Sequence, residues 1–168
     1  MTEPTATERL QPSLLDRLID NDPASRSESA DTSILNRRSL RAAVLRDLSW
    51  LFNSTNLSDE IPVSRYPDVS ASVLNFGLPC LSGRFASTVD AVVLEQAIRE
   101  AIVLFEPRIA PESIEIEALL DRPVLDMHNQ ISLVIRGLLW AQPAPLEFAL
   151  RTQIDLEEGG ITVTELPR

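Results

Sequence analysis

Phe105-Glu106-Pro107-Arg108-Ile109 is the stretch on which the fold turns. On its N-terminal side, residues 87–105 carry the period of an amphipathic helix. Leu94, Ile98, Ala101, Ile102 and Phe105 share one face, and Ser87 with Asp90 forms a capping-box-like start. On its C-terminal side the period becomes two. Ile114, Ile116 and Ala118 alternate with Glu115 and Glu117, and Ile131, Leu133 and Ile135 with Ser132, Val134 and Arg136. The same alternation returns from Leu146 to Ile154 and from Ile161 to Glu165, so four half-buried strands are expected. Pro107 cannot continue the helix, and it disfavours helical backbone at Glu106. In extended backbone, residues two apart point the same way. Glu106 and Arg108 are therefore expected side by side. Two readings stand open: a helix stop carrying a surface ion pair worth about 0–1 kcal/mol, or a two-charge contact for a partner.

Working outward, residues 35–52 read as the first helix of the domain, with Leu40, Val44, Leu45, Leu48, Leu51 and Phe52 at helical spacing. A short helix is expected from Tyr66-Pro67-Asp68 through Phe76, stopped by Gly77 as a residue just past a helix end. Nearer the N-terminus, Ser13 can cap a short helix with Asp16 three residues on, and Leu14, Leu15, Leu18 and Ile19 form its apolar stripe. The Ser- and Ala-rich, charged residues that follow, up to Thr32, read as a linker. An isolated helix this short is marginal in water, so it must dock, on its own domain or on a partner; the reading leans to a partner. The division is a tail at 1–33 and a domain at 34–168. The fold class is α+β: three helices packed on a four-stranded, mainly antiparallel sheet, preceded by an N-terminal helix on a linker. Glu157-Glu158-Gly159-Gly160 is the loop between the last two strands.

Length and composition bound the function. The 168 residues suffice for one domain with a core, and 44% are hydrophobic but only 5% aromatic, so aliphatic side chains fill it. No apolar run reaches the roughly 18–20 residues that span a bilayer, and the first eleven residues lack the apolar stretch of a secretory signal. Cys80 is the single cysteine, which excludes an intrachain disulfide and fits a reducing compartment; a cytosolic protein is expected. The net charge of −10 argues against nucleic acid as the main partner. The charge is uneven: residues 111–168 hold ten acids against four arginines, so a basic protein surface suits that end.

Catalytic patterns are sparse. With one histidine, His128, and one cysteine, no zinc-ligand spacing exists, and five glycines include no phosphate loop; no cofactor is expected. A nucleophilic triad would have to use His128, which lies in the loop Asp126-Met127-His128-Asn129 with no elbow motif near any serine. The remaining option is a pair of carboxylates about 5–10 Å apart, as glycoside hydrolysis needs. Glu115 with Glu117, and Glu157 with Glu158, read better as solvated charge on a strand face and at a hairpin tip.

Taken together these pieces resemble the TssE family, the small baseplate wedge subunit of bacterial type VI secretion systems, related to a wedge protein of contractile phage tails. The resemblance rests on Pro12-Ser13-Leu14-Leu15-Asp16-Arg17-Leu18, on Arg46-Asp47-Leu48 with Leu51-Phe52-Asn53, on Tyr66-Pro67, on Ser72-Val73-Leu74-Asn75-Phe76-Gly77-Leu78-Pro79, and on Glu106-Pro107-Arg108. The chain departs from the family at Phe76, where Tyr is commoner, and at Cys80, where Asp is commoner. The resemblance implies a structural, non-enzymatic role at the cytoplasmic face of the cell envelope. The expected partners are TssF and TssG in a wedge, TssK nearby, and the TssB–TssC sheath whose assembly the baseplate starts. It implies partner contacts through Glu106, Pro107 and Arg108 at the junction and through Leu14, Leu15 and Leu18 in the tail. The last strand, from Ile161 to Glu165, is the expected free edge for a neighbour's strand. The rival reading, from a lysozyme-like label attached to the family's phage relatives, is a muramidase acting on peptidoglycan.

Overall fold

The computed structural model describes residues 13–19, 37–57, 60–62, 65–83, 90–119, 129–141 and 144–166. Residues 1–12, the linker, Ser87 and His128 lie outside the described residues. Helices α1 (Leu14–Leu18), α2 (Arg37–Phe52), α3 (Pro67–Ser70) and α4 (Ala91–Phe105) precede strands β1 (Glu115–Leu119), β2 (Gln130–Leu139), β3 (Leu146–Asp155) and β4 (Ile161–Glu165). The sheet is an antiparallel meander in the order β1-β2-β3-β4. The α+β reading and its four strands therefore hold.

Period-2 patterning places one sheet face against the helices. Leu133 and Ile135 of β2 and Leu150 and Ile154 of β3 meet Leu48 of α2 and Ile98 and Ile102 of α4 in one core. Val134 points to the other face yet is buried, between Glu117 and Arg151 across the ladder; long charged side chains can cover an apolar neighbour with their stems. Helix α4 is capped by Asp90, whose carboxylate accepts from the Val92 N–H at 2.9 Å. It ends at Glu106, whose N–H still donates to the Ile102 carbonyl at 2.8 Å before Pro107 breaks the ladder.

The short helix expected over 66–76 is two pieces, α3 and a 3-10 turn at Val73–Asn75. Ser72 Oγ accepts from the Leu74 N–H and restarts the turn, while Asn75 is buried and bridges to Leu57 N–H and Ser70 C=O. Gly77 stops the segment with φ +124°, and a Cβ there would lie 2.2 Å from the Ser54 carbonyl oxygen. That close approach lets Leu78 N–H donate to Ser54 C=O at 2.9 Å and joins the segment to the end of α2.

Both sheet edges carry a helix side chain. Asn53, just past α2, receives the Ile161 N–H at 2.9 Å and donates to the Ile161 carbonyl at 2.7 Å. Glu95 of α4 accepts the Ala118 N–H of β1 at 2.9 Å. Main-chain groups alternate in direction along a strand, so Val163 and Glu165 share the outward direction of Ile161. The free part of the β4 edge thus starts at Val163.

Candidate functional site

The turn after α4 is stitched into the sheet on one side. Trp140 N–H donates to the Arg108 carbonyl at 2.7 Å, and Ala110 N–H to the Leu138 carbonyl at 2.9 Å, with Ile109 bridged to Leu139. Residues 108–110 therefore run beside β2, past the point where β1 pairs with it. Glu106 has φ −123° and ψ 75°, the non-helical backbone that Pro107 imposes.

With the backbone held, Glu106 and Arg108 point together and inward. Glu106 is only 3% exposed. Arg108 donates to it with two nitrogens, Nε to Oε1 at 2.6 Å and Nη2 to Oε2 at 2.5 Å, and its backbone N–H reaches Oε1 at 3.2 Å. This is the bidentate fork in which arginine and a carboxylate bind most strongly. The same Nη2 also lies 2.5 Å from Oδ2 of Asp47 on α2. The pair is therefore an internal clamp between the end of α4 and α2.

Asp47 continues the cluster. Its Oδ1 accepts from Arg46 Nε at 2.9 Å, and Arg46 Nη1 donates to Asp16 Oδ1 of α1 at 2.7 Å. Arg46 also lies over the Trp50 ring, 5.0 Å from its centroid. Ser13 caps α1, its Oγ accepting from the Asp16 N–H at 3.3 Å. Burial lowers the pKa of the Arg108 guanidinium, but hydrogen bonds and charge from Glu106 and then Asp47 outweigh it, so Arg108 is held above its ordinary value. Burial pushes the Asp16 carboxyl up, yet its bonds to Ser13 and Arg46 outweigh that and hold it below the ordinary carboxylate value.

The leucines of α1 are placed differently. Leu14 and Leu18 are 71% and 72% exposed, and Leu15 and Ile19 are partly so. The helix touches α2 through Asp16 and leaves its apolar stripe uncovered. Beside it opens a groove of about 550 Å³ lined by Leu15, Trp50, Phe76, Phe105 and Pro107, with Asp47 and Glu106 on its charged wall. Phe76 and Phe105 meet edge to face with centroids 5.2 Å apart; this contact needs no hydroxyl at position 76.

Of the six residues singled out from the sequence, Leu15, Glu106, Pro107 and Arg108 thus border one cluster and groove, while Leu14 and Leu18 are turned to solvent. Sequence reasoning missed Asp47 as the hinge of the cluster. The signal was present in the Arg46-Asp47 doublet, but its partner Arg108 lies 61 residues on. Glu115 and Glu117 sit on β1, with Glu117 paired to Arg136 at 3.3 Å, and Glu157 and Glu158 cap a hairpin turn by donating their N–H groups to Asp155. Asp47 and Glu106, which share the groove beside α1, are both acceptors for Arg108; Glu147 and Glu165 line a second groove, of about 250 Å³, together with Arg41, which pairs with Glu165 at 3.2 Å. Among the described residues no helix is long and apolar enough to cross a membrane.

No curated protein and no solved structure matches the chain. One family pattern, described as baseplate wedge protein gp25, matches residues 38–144. That span runs from the start of α2 through the Glu-Pro-Arg turn and the whole of β2. The chain belongs to the baseplate wedge protein gp25 family, which includes TssE.

Proposed function

We propose that this chain is a non-enzymatic baseplate subunit of a type VI secretion system, which joins a TssF–TssG wedge near TssK and helps start the TssB–TssC sheath. Membership of the wedge family carries this reading, and the uncovered leucines of α1 supply a surface for assembly. Residues 1–33 act as a docking tail and 34–168 as the wedge domain, at the cytoplasmic face of the envelope. Leu14, Leu15 and Leu18 meet a neighbouring wedge component. Pro107 and Arg108 form the contact at the turn, and the buried Glu106 holds them in position. Val163 to Glu165 offers the open edge for a neighbour's strand, since strand addition uses free main-chain groups.

The muramidase reading is not favoured. A glycosidase acid must hand a proton to the leaving group, whereas Asp47 and Glu106 are committed as acceptors to one guanidinium.

The test is sheath formation in cells whose own copy is deleted, followed with a fluorescent TssB-like protein. Complementation by the wild-type chain restores sheaths. Val163→Pro removes an outward N–H from β4 without touching the bonds to β3, and it is expected to lower sheath number while the purified protein keeps its thermal transition. Normal sheath number with Val163→Pro would remove the edge from the reading. Absence of any sheath defect in the deletion strain would remove the baseplate role itself.

A further inference from the structure

Five charged side chains form an unbroken series from the N-terminal helix to the helix-to-sheet turn: Asp16, Arg46, Asp47, Arg108 and Glu106. We propose that this series couples the two ends, so that seating of α1 holds Arg108 in place and release of α1 loosens it, with Asp47 as the positioning residue between them. The division of Asp47 is the reason. Its Oδ1 serves Arg46, at 2.7 Å from Nη2, and its Oδ2 serves Arg108 at 2.5 Å. One carboxylate thus lies between two guanidinium groups that repel each other. Asp16, 2.7 Å from Arg46, offsets the charge of Arg46. Without it, Arg46 depends on Asp47 alone, and its uncompensated charge acts against Arg108.

The effect is reciprocal, as any coupling of two equilibria must be. Drawing Arg108 away frees Asp47 for Arg46 and weakens the hold of Arg46 on Asp16. The element that moves is α1, five residues long, with its leucines in solvent and few contacts to the domain; such segments open at low cost. The use of the coupling rests on the wedge reading: a neighbour that captures the leucines and lifts α1 loosens Arg108 for a contact of its own, which sets an order of assembly.

The test uses the isolated 168-residue chain and the hydrogen-exchange rate of the Arg108 Nε–H, followed by NMR. Asp16→Asn is expected to speed this exchange by about two- to fivefold, the range of a partly exposed ion pair. Leu14→Ala, on the same helix but outside the polar contacts, keeps the wild-type rate, and Asp16→Glu restores it. In an Asp47→Asn background, Asp16→Asn has no further effect; an Arg46→Gln background does the same if Asp47→Asn fails to fold. An unchanged rate in Asp16→Asn, or an acceleration that survives loss of Asp47 or Arg46, overturns the proposal. No partner is present, so that outcome leaves wedge membership intact, and failure to join a wedge would leave the coupling intact.

Discussion

The turn at Glu106–Arg108 and the helix Leu14–Leu18 stand at opposite ends of one charge cluster and are built in opposite ways. At the turn, a buried carboxylate takes three donors from one arginine, and the backbone on either side is bonded to α4 and β2. At the helix, one ion pair faces the domain and the leucines face solvent. The turn is a clamp whose loss is felt by the fold; the helix is held by one ion pair, and on the proposed reading its leucines serve a neighbour. Charged residues at an exposed-looking junction can be held inward by their own fold, as Glu106 is, and a short apolar helix need not be buried by its own chain.

The largest effect tests the clamp. Glu106→Ala leaves a half-buried guanidinium without its bidentate acceptor and is expected to cost about 3 kcal/mol, read by urea unfolding with an unchanged slope. Adding Arg108→Ala removes the orphaned cation too, so the double variant is expected to be more stable than Glu106→Ala alone and to keep a thermal transition. A double variant less stable than the single would mean that the pair is not the unit of stability. Next, Arg108→Lys keeps the charge but loses the fork, and about 1–2 kcal/mol should be lost.

A pH titration separates the two regions further. The folded-state pKa of Asp16 lies below its ordinary 3.8, so its contribution is complete above that value and fades as pH falls through the lower folded value. Protection of the Ile19 amide, whose N–H bonds to the Leu15 carbonyl, measured relative to the intrinsic exchange rate at each pH, should be lost in acid before protection at Glu106 is. Simultaneous loss would show that the helix and the clamp open as one. The smallest effect on stability belongs to Leu14→Ala with Leu18→Ala, within about 0.5 kcal/mol of wild type, because these side chains are already in solvent.

Much of the framework was legible because it rests on local rules. The switch of period at Pro107 separates α4 from the strands, and each strand keeps its alternation through a consecutive antiparallel meander. What was not legible depends on residues far apart. Asp47 meets Arg108 and Asn53 covers Ile161 only once the sheet has packed on α2. Asp90, half of the expected capping pair, is the N-cap of α4, and the helix expected over 66–76 broke where Ser72 and Asn75 took main-chain partners of their own. The inward direction of Glu106 required knowing that α2 passes behind the turn.

On the proposed reading, this chain joins a baseplate wedge through its exposed N-terminal helix, and the clamp holds the turn in shape. The most direct measurement is co-expression with the TssF- and TssG-like products of the same genome, followed by size exclusion and mass spectrometry. Wild type is predicted to co-elute with both. Leu14→Asp with Leu18→Asp is predicted to leave the complex while its thermal transition is unchanged. A wild-type chain that ignores both products would overturn the wedge role, and a leucine variant that co-elutes undiminished would overturn docking through α1.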